Sequence, residues 1–255
     1  MPDEPPPPFA PEAANPVQPP AYHEQRDDPN EIVQPVTYAL HGRFVYGLPN
    51  TSSPLYELSR VIHAQGDATT SIEFQRLDYR VRTQSDGTPR VAHRGKHLYN
   101  LIHLPDAWVM DYQFSLQSIT RKTLGNVIMK KSPFPHSGFR VYKQLTDEEI
   151  EREKKRGNKP KHDFYFVIKD KKNTWEWCDG QGNVVATQVS TMGSDGLPEH
   201  NLLVLVPLTR RMMDALVALW CLWLWNIHAS GAKEKRGWKD FKRIMEQPHP
   251  DFVMK

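Results

Sequence analysis

"DALVALWCLWLWNIH", Asp214 to His228, is the stretch on which the fold turns. Every residue from Ala215 to Trp225 is apolar, and three of the chain's seven tryptophans, Trp220, Trp223 and Trp225, fall within it. At helical spacing, Leu216, Leu219, Trp220, Trp223, Leu224 and Ile227 form one stripe, while Val217, Ala218, Cys221, Leu222 and Trp225 cover the other side. No polar face exists, so a helix here must be surrounded by protein on every side. A bilayer crossing takes about 20 apolar residues. This run is shorter, is bounded by Asp214 and Asn226, and has basic residues on both flanks, so no transmembrane span is expected. A tail-anchored membrane protein stays as a minor alternative.

The sheath has to come from the rest of the chain. Between Val36 and Leu208 lie short β-branched and aromatic runs, among them "VTYALHGRFVYG", "SIEFQRLDYRVRT", "KHLYNLIHL", "DFYFVIKD", "NVVATQVS" and "NLLVLVPL". Such runs read as strands. The turn segments "SDGTP", "LGNV", "KDKKN" and "DGQGN" separate several of them; Asp-Gly and Gly-Asn supply the positive φ that tight hairpins require. Short strands joined by hairpins predict a mainly β (α+β) fold, an antiparallel β-barrel of about 11–12 strands. A hydrophobic helix over about residues 209–229 would be its core. "TDEEIEREKKRG" interrupts the strands as a surface helix, opened by a capping box of Thr146 and Glu149 and stopped at Gly157.

Many hairpin strands, a mid-chain surface helix, and "LLVLVPLTRRMMDALVALWCLWLW" running from strand into apolar helix resemble the tubby C-terminal-like superfamily. This group includes the LURP-one-related proteins and the phospholipid scramblases. "PLYEL" and "WCDGQGNVVATQV" are similar in character to its hairpin strands. The resemblance covers about residues 36–230 and implies a strand barrel threaded by a central helix. Neither the phosphoinositide-binding residues of tubby proteins nor the calcium-binding segment of scramblases aligns with positions of this chain.

Charge divides the 255 residues unevenly. Residues 1–35 hold half of the prolines and seven acidic residues against Arg26, a net of −6, so the remainder carries +9 of the overall +3. The first segment reads as a disordered, acidic, Pro-rich tail, in which "EPPPPFAP" has the composition of an SH3 or WW ligand. Residues 231–255 read as a C-terminal amphipathic helix and tail: Gly231 would stop the core helix, and "WKDFKRIMEQ" would place Trp238, Phe241, Ile244 and Met245 on one face. No basic n-region or apolar h-region opens the chain, and Cys178 and Cys221 read as buried reduced thiols. A cytoplasmic protein, peripheral to a membrane, is therefore expected.

A basic body suggests a partner of negative charge. In "ITRKTLGNVIMKKS", a two-residue turn at Gly125-Asn126 would set Arg121 opposite Lys130, with Lys122 and Lys131 on the other face and Arg140 and Lys143 on the next strand. Cations facing each other across a ladder repel, and an anionic headgroup would relieve that, so these six are the candidate lipid-headgroup residues. The basic loop Lys154–His162 and the histidines His93 and His97 match no nucleic-acid module or metal-ligand spacing. "GSDG" at Gly193–Gly196 lacks a hydrolase elbow, so no catalytic set and no cofactor is expected. The reading is a non-enzymatic binding module for an anionic phospholipid or a protein partner. A small-molecule enzyme or ligand carrier using one barrel mouth is the alternative.

Overall fold

The computed structural model describes residues 28–66, 68–83, 88–104, 112–133, 138–156, 164–171, 174–192 and 198–234. Its strands are β1 (Ile32–Val33), β2 (Thr37–His41), β3 (Phe44–Leu48), β4 (Pro54–Leu58), β5 (Ser71–Thr83), β6 (Pro89–His103) and β7 (Phe114–Ser118). There follow β8 (Val127–Lys131), β9 (Phe139–Lys143), β10 (Phe164–Lys171), β11 (Thr174–Cys178), β12 (Val184–Met192), β13 (Pro198–Val204) and β14 (Leu208–Thr209). Two helices, α1 (Asp147–Lys155) and α2 (Arg210–Glu234), interrupt and end the series.

Strands β2 to β13 form one closed barrel in chain order, each antiparallel to the next, with β13 returning to β2. Closure with every neighbour antiparallel requires an even number, and β2 to β13 make twelve. Strands ~4.8 Å apart and tilted by ~40° put the wall of such a barrel ~12 Å from its axis. Wall side chains alone would leave a void there. That radius is close to the ~10 Å spacing of packed layers, which is the room an axial helix needs.

Helix α2 occupies that room. Met213 to Trp225 are each at most 3% exposed, and burial ends only at Ile227, which is 38% exposed. Inward residues of the wall, including Tyr38, Phe74, Leu101, Phe166 and Leu202, join the helix in one core cluster. The indoles meet aromatic partners: Trp175 lies 4.9 Å from Trp223, and His103 and Phe114 lie 5.5 and 6.0 Å from Trp225. The Nε1 atoms of Trp177, Trp220, Trp223 and Trp225 have no acceptor among the described residues. A buried indole gains about 5 kcal/mol from ~200 Å² of lost surface, against about 1–3 kcal/mol for an unmade hydrogen bond. Packing outweighs that loss. By length and composition Arg210–Ala229 could cross a bilayer, but 83% of its most apolar window is already buried within the barrel.

Several expectations need correction. Helix α2 continues through Gly231 to Glu234; one glycine costs a helix only about 1 kcal/mol relative to alanine, and Ala232 follows it. "PLYEL" forms a strand that stops at Leu58, and Ile62, beyond it, sits in a short 3-10 turn packed on α2. The Gly125-Asn126 hairpin does not form: residues 119–126 are a longer loop, and β7 meets β8 as Leu116↔Val127. Side chains account for this. Asn126 Oδ1 accepts from the Ser118 backbone at 2.9 Å, and the Thr123 hydroxyl donates to the Thr120 carbonyl at 2.9 Å and accepts from Gly125 at 3.3 Å. Such local bonds replace ladder bonds. The capping box forms as expected, with Thr146 N donating to Glu149 and Glu149 N to Thr146. The acidic segment before residue 28, the Gly157 stop, most of the basic loop to His162, "GSDG" and the stretch from Lys235 lie outside the described residues.

At Gly138 the chain enters β9 with φ +114, and a Cβ there would stand 2.0 Å from the Ile168 carbonyl oxygen. Backbone, not a flexible side chain, is the obstacle. Gly138→Ala should therefore cost more than about 2 kcal/mol, read as a lowered urea midpoint; a loss below about 0.5 kcal/mol would contradict this close approach.

Candidate functional site

The hairpin of β5 and β6 is the longest in the barrel, and its register decides what meets the start of α2. Arg76 pairs with Lys96 and Asp78 with Arg94. Alternation puts all four on the face that turns toward the helix. Arg76, 8% exposed, reaches inward so that its Nη1 donates to Asp214 Oδ2 at 2.7 Å. Tyr56 donates its hydroxyl to Asp214 Oδ1 at 2.8 Å. On the outer side Arg76 Nε donates to Asp78 Oδ1 at 3.0 Å, and Lys96 bridges the other Asp78 oxygen.

This chain of charges attaches the helix to the wall. Asp214, at the N-terminal edge of the apolar run, is only 3% exposed. Burial pushes its carboxyl above the usual range, opposed by Arg76, the Tyr56 hydrogen bond and Arg210. Burial likewise holds Tyr56 neutral as the donor. Asp78, half-buried, is held below its ordinary value; burial opposes the shift, but the bonds from Lys96 and Arg76 outweigh it.

Beside this network opens a cavity of about 340 Å³, lined by Arg76, Arg94, Lys96, Lys122, Arg210 and Asp214. Five cations face one carboxylate there. Arg94 and Lys122 are exposed at the rim. Lys122 arrives on the loop after β7, together with Thr120. Arg210 binds Glu31 through Nη2 at 3.0 Å; burial works against its charge, but the bonds to Glu31 and the nearby acids keep its pKa raised. A concave, cationic mouth presents the kind of donors that phosphate oxygens accept from, since Arg and Lys make charge-assisted bonds to them.

Of the six residues read from the sequence, only Lys122 lines this cavity. Arg121 is exposed on the same loop and is not opposite Lys130. Lys130 pairs instead with Arg140, on the outer wall, with its Nζ 5.8 Å from the Tyr142 ring centre. Lys131 is exposed opposite Phe139, and Lys143 bridges Glu149 of α1 at 2.6 Å. The cation pair across a ladder exists, but between other partners, because the loop replaced the tight turn. The residues missed were Arg76, Arg94, Lys96 and Arg210. A signal for three of them stands in the chain: charges at alternate positions in "QRLDYR" and "RGK" give one strand face a polar stripe.

Among the described residues no group of three His, Cys, Asp or Glu is placed to hold a metal ion. His93 stands against Tyr79, and His97 Nε2 lies 2.8 Å from Asn100 Oδ1. Both cysteines are free and buried, and burial pushes the Cys221 thiol well above its usual range, so it is not a thiolate nucleophile.

The opposite end of α2 carries His228 beside His200 of β13, ring centres 5.7 Å apart. Ser190 Oγ lies 2.9 Å from His200 Nδ1, and His200 Nε2 is buried without a partner among the described residues. Burial, then repulsion from His228 and His63, holds His200 down to about 4.

No protein-family model, curated protein or solved structure matches this chain.

Removing one member of the buried pair should unmask the other. Asp214→Ala should destabilise by about 3–5 kcal/mol, whereas the double variant R76M/D214L should recover most of that loss. Equal losses in urea titrations of both would deny the pair its role. At the far end, His200 binds its proton less well folded than unfolded, so its contribution is present above pH 6.5 and is lost as pH falls from 6.5 toward about 4. His200→Gln should flatten that part of the stability profile; an unaltered slope would count against the histidine.

Proposed function

We propose that this chain is a non-enzymatic binding module that takes a phosphate-bearing anion, the headgroup of an anionic phospholipid, at the basic mouth of its barrel. The observation that carries the reading is the set Arg76, Arg94, Lys96, Lys122 and Arg210 around one cavity, five cations against the three carboxylates Asp214, Asp78 and Glu31 that pair with them. The Asp214–Arg76–Asp78–Lys96 chain holds two of these cations, Arg76 and Lys96, in place before a ligand arrives. Such preorganisation lowers the cost of binding. The closed barrel threaded by a near-terminal helix also supports kinship with the tubby-like barrels, and on that kinship a cytoplasmic, membrane-peripheral role fits. A cavity of about 340 Å³ lies at the small end of ligand pockets. It suits a headgroup-sized anion, and a soluble phosphate ester carried in the same place is the second reading.

Sedimentation with phosphatidylcholine vesicles containing phosphatidic acid tests this, with inorganic pyrophosphate titrated separately for the soluble reading. Wild-type protein should bind the anionic vesicles and weaken steeply with salt. The double variant R94Q/K122Q, altered only at exposed positions, should lose about tenfold or more, at about 1 kcal/mol per cation near an anionic surface. K130Q/R140Q should bind as wild type. Loss in the second variant but not the first would move the site to the outer wall, and no binding by wild type to either probe would end the proposal.

A further inference from the structure

The N-terminal segment crosses the mouth of the barrel and touches the candidate site at two points. Pro29 forms part of the cavity wall, and Glu31 takes Arg210 with its carboxylate. Backbone bonds hold the segment in place: Arg210 N donates to Glu31 O at 2.7 Å and Arg211 N to Pro29 O at 3.0 Å. Beyond these, β1 adds a two-residue ladder with β14, Ile32↔Thr209 and Val33↔Leu208.

Two properties distinguish this attachment from the barrel wall. It is short, joined to a two-stranded sheet outside the closed barrel, and Ile32 within it is 56% exposed. It is also acidic in a chain that is otherwise basic: residues 1–35 carry Asp3, Glu4, Glu12, Glu24, Asp27, Asp28 and Glu31 against Arg26 alone. A carboxylate on Arg210 satisfies the same guanidinium that an incoming phosphate would use. Local unfolding favours segments with few buried contacts, and the segment that would have to leave is the one least built into the sheet.

We propose that residues 28–33 are an autoinhibitory strap: Glu31 occupies the basic mouth as an internal substitute for the anion, and ligand binding displaces it. The inference rests on the anion-binding reading of the cavity and adds its regulation. In the resting state Glu31 neutralises Arg210 and lowers the positive potential of the mouth. A phosphate group enters by exchanging with the Glu31 carboxylate on the guanidinium, which frees residues 28–33 from α2 and β14. The affinity measured for an external anion is then reduced by the strength of the internal contact. Modification or capture of the segment by another protein would raise it.

The test uses the full chain. Vesicles of phosphatidylcholine with phosphatidic acid, and separately inorganic pyrophosphate, are titrated against wild type and Glu31→Gln, with thermal melts confirming that both are folded. Glu31→Gln should bind either anion about two- to fivefold more tightly, the range set by loss of one partly exposed ion pair, with the difference shrinking at high salt. Pyrophosphate should produce the tighter binding for a free phosphate ligand, vesicles for a headgroup; both carry the same exchange. Hydrogen exchange on the unmodified protein gives an independent readout: a saturating anion should speed exchange of the amides between Asn30 and Val33 several-fold. Equal or weaker binding by folded Glu31→Gln, or unchanged or slower exchange at Asn30–Val33, would overturn the strap while leaving the site intact. Failure of wild type to bind either probe would remove both.

Discussion

A helix with no polar face cannot rest against a single sheet, because whatever the sheet leaves uncovered would stand in water. Ala215 to Trp225 impose that condition here, and the closed barrel meets it: indoles, leucines and the Cys221 thiol are all enclosed. The condition works in both directions. A twelve-strand wall has no core of its own, so the helix needs the barrel for cover and the barrel needs the helix for filling. Hairpins that lie far apart in sequence become one cooperative unit through a segment that follows all of them in the chain.

Apolar contact on all sides does not by itself choose how far the helix is inserted or how it is rotated. The polar chain from Tyr56 and Arg76 to Asp214 supplies that choice, since only one placement brings the buried carboxylate to both donors. Buried ionic groups add little net stability and are better credited with specifying an arrangement. The same chain continues through Asp78 to Lys96 at the rim. Position of the helix and geometry of the basic mouth are therefore set by shared residues, which ties the core of the fold to its candidate site.

The two ends of α2 differ in electrostatic character. Its N-terminal end meets arginines and lysines around the cavity, with Glu31 bound to Arg210. At the other end His228 lies beside His200, with His63 nearby, and burial and repulsion favour the neutral forms of His200 and His228. Cations gathered at one mouth can serve a ligand of opposite charge, whereas histidines kept neutral serve the packing of the barrel floor.

Composition and periodicity determined the architecture: an apolar run too short and too uniform for other fates, strands of alternating character, and a capping box at Thr146 and Glu149 are local patterns with local causes. Gly231 misled because a glycine stops a helix only where the backbone turns left-handed, which its own residue type does not dictate. The candidate site was legible only at Lys122. Its other cations come from β6, β5 and the first turn of α2, and what unites them is register: Arg76 against Lys96, Asp78 against Arg94. Register is a long-range property, decided by which inward residues fit the helix and by whether side chains such as Thr123 and Asn126 displace a tight turn. A one-residue slip exchanges the faces of a strand. The chain by itself thus settled that a sheath must surround Trp220, Trp223 and Trp225, while tertiary pairing alone decided which charges the sheath would gather at its mouth.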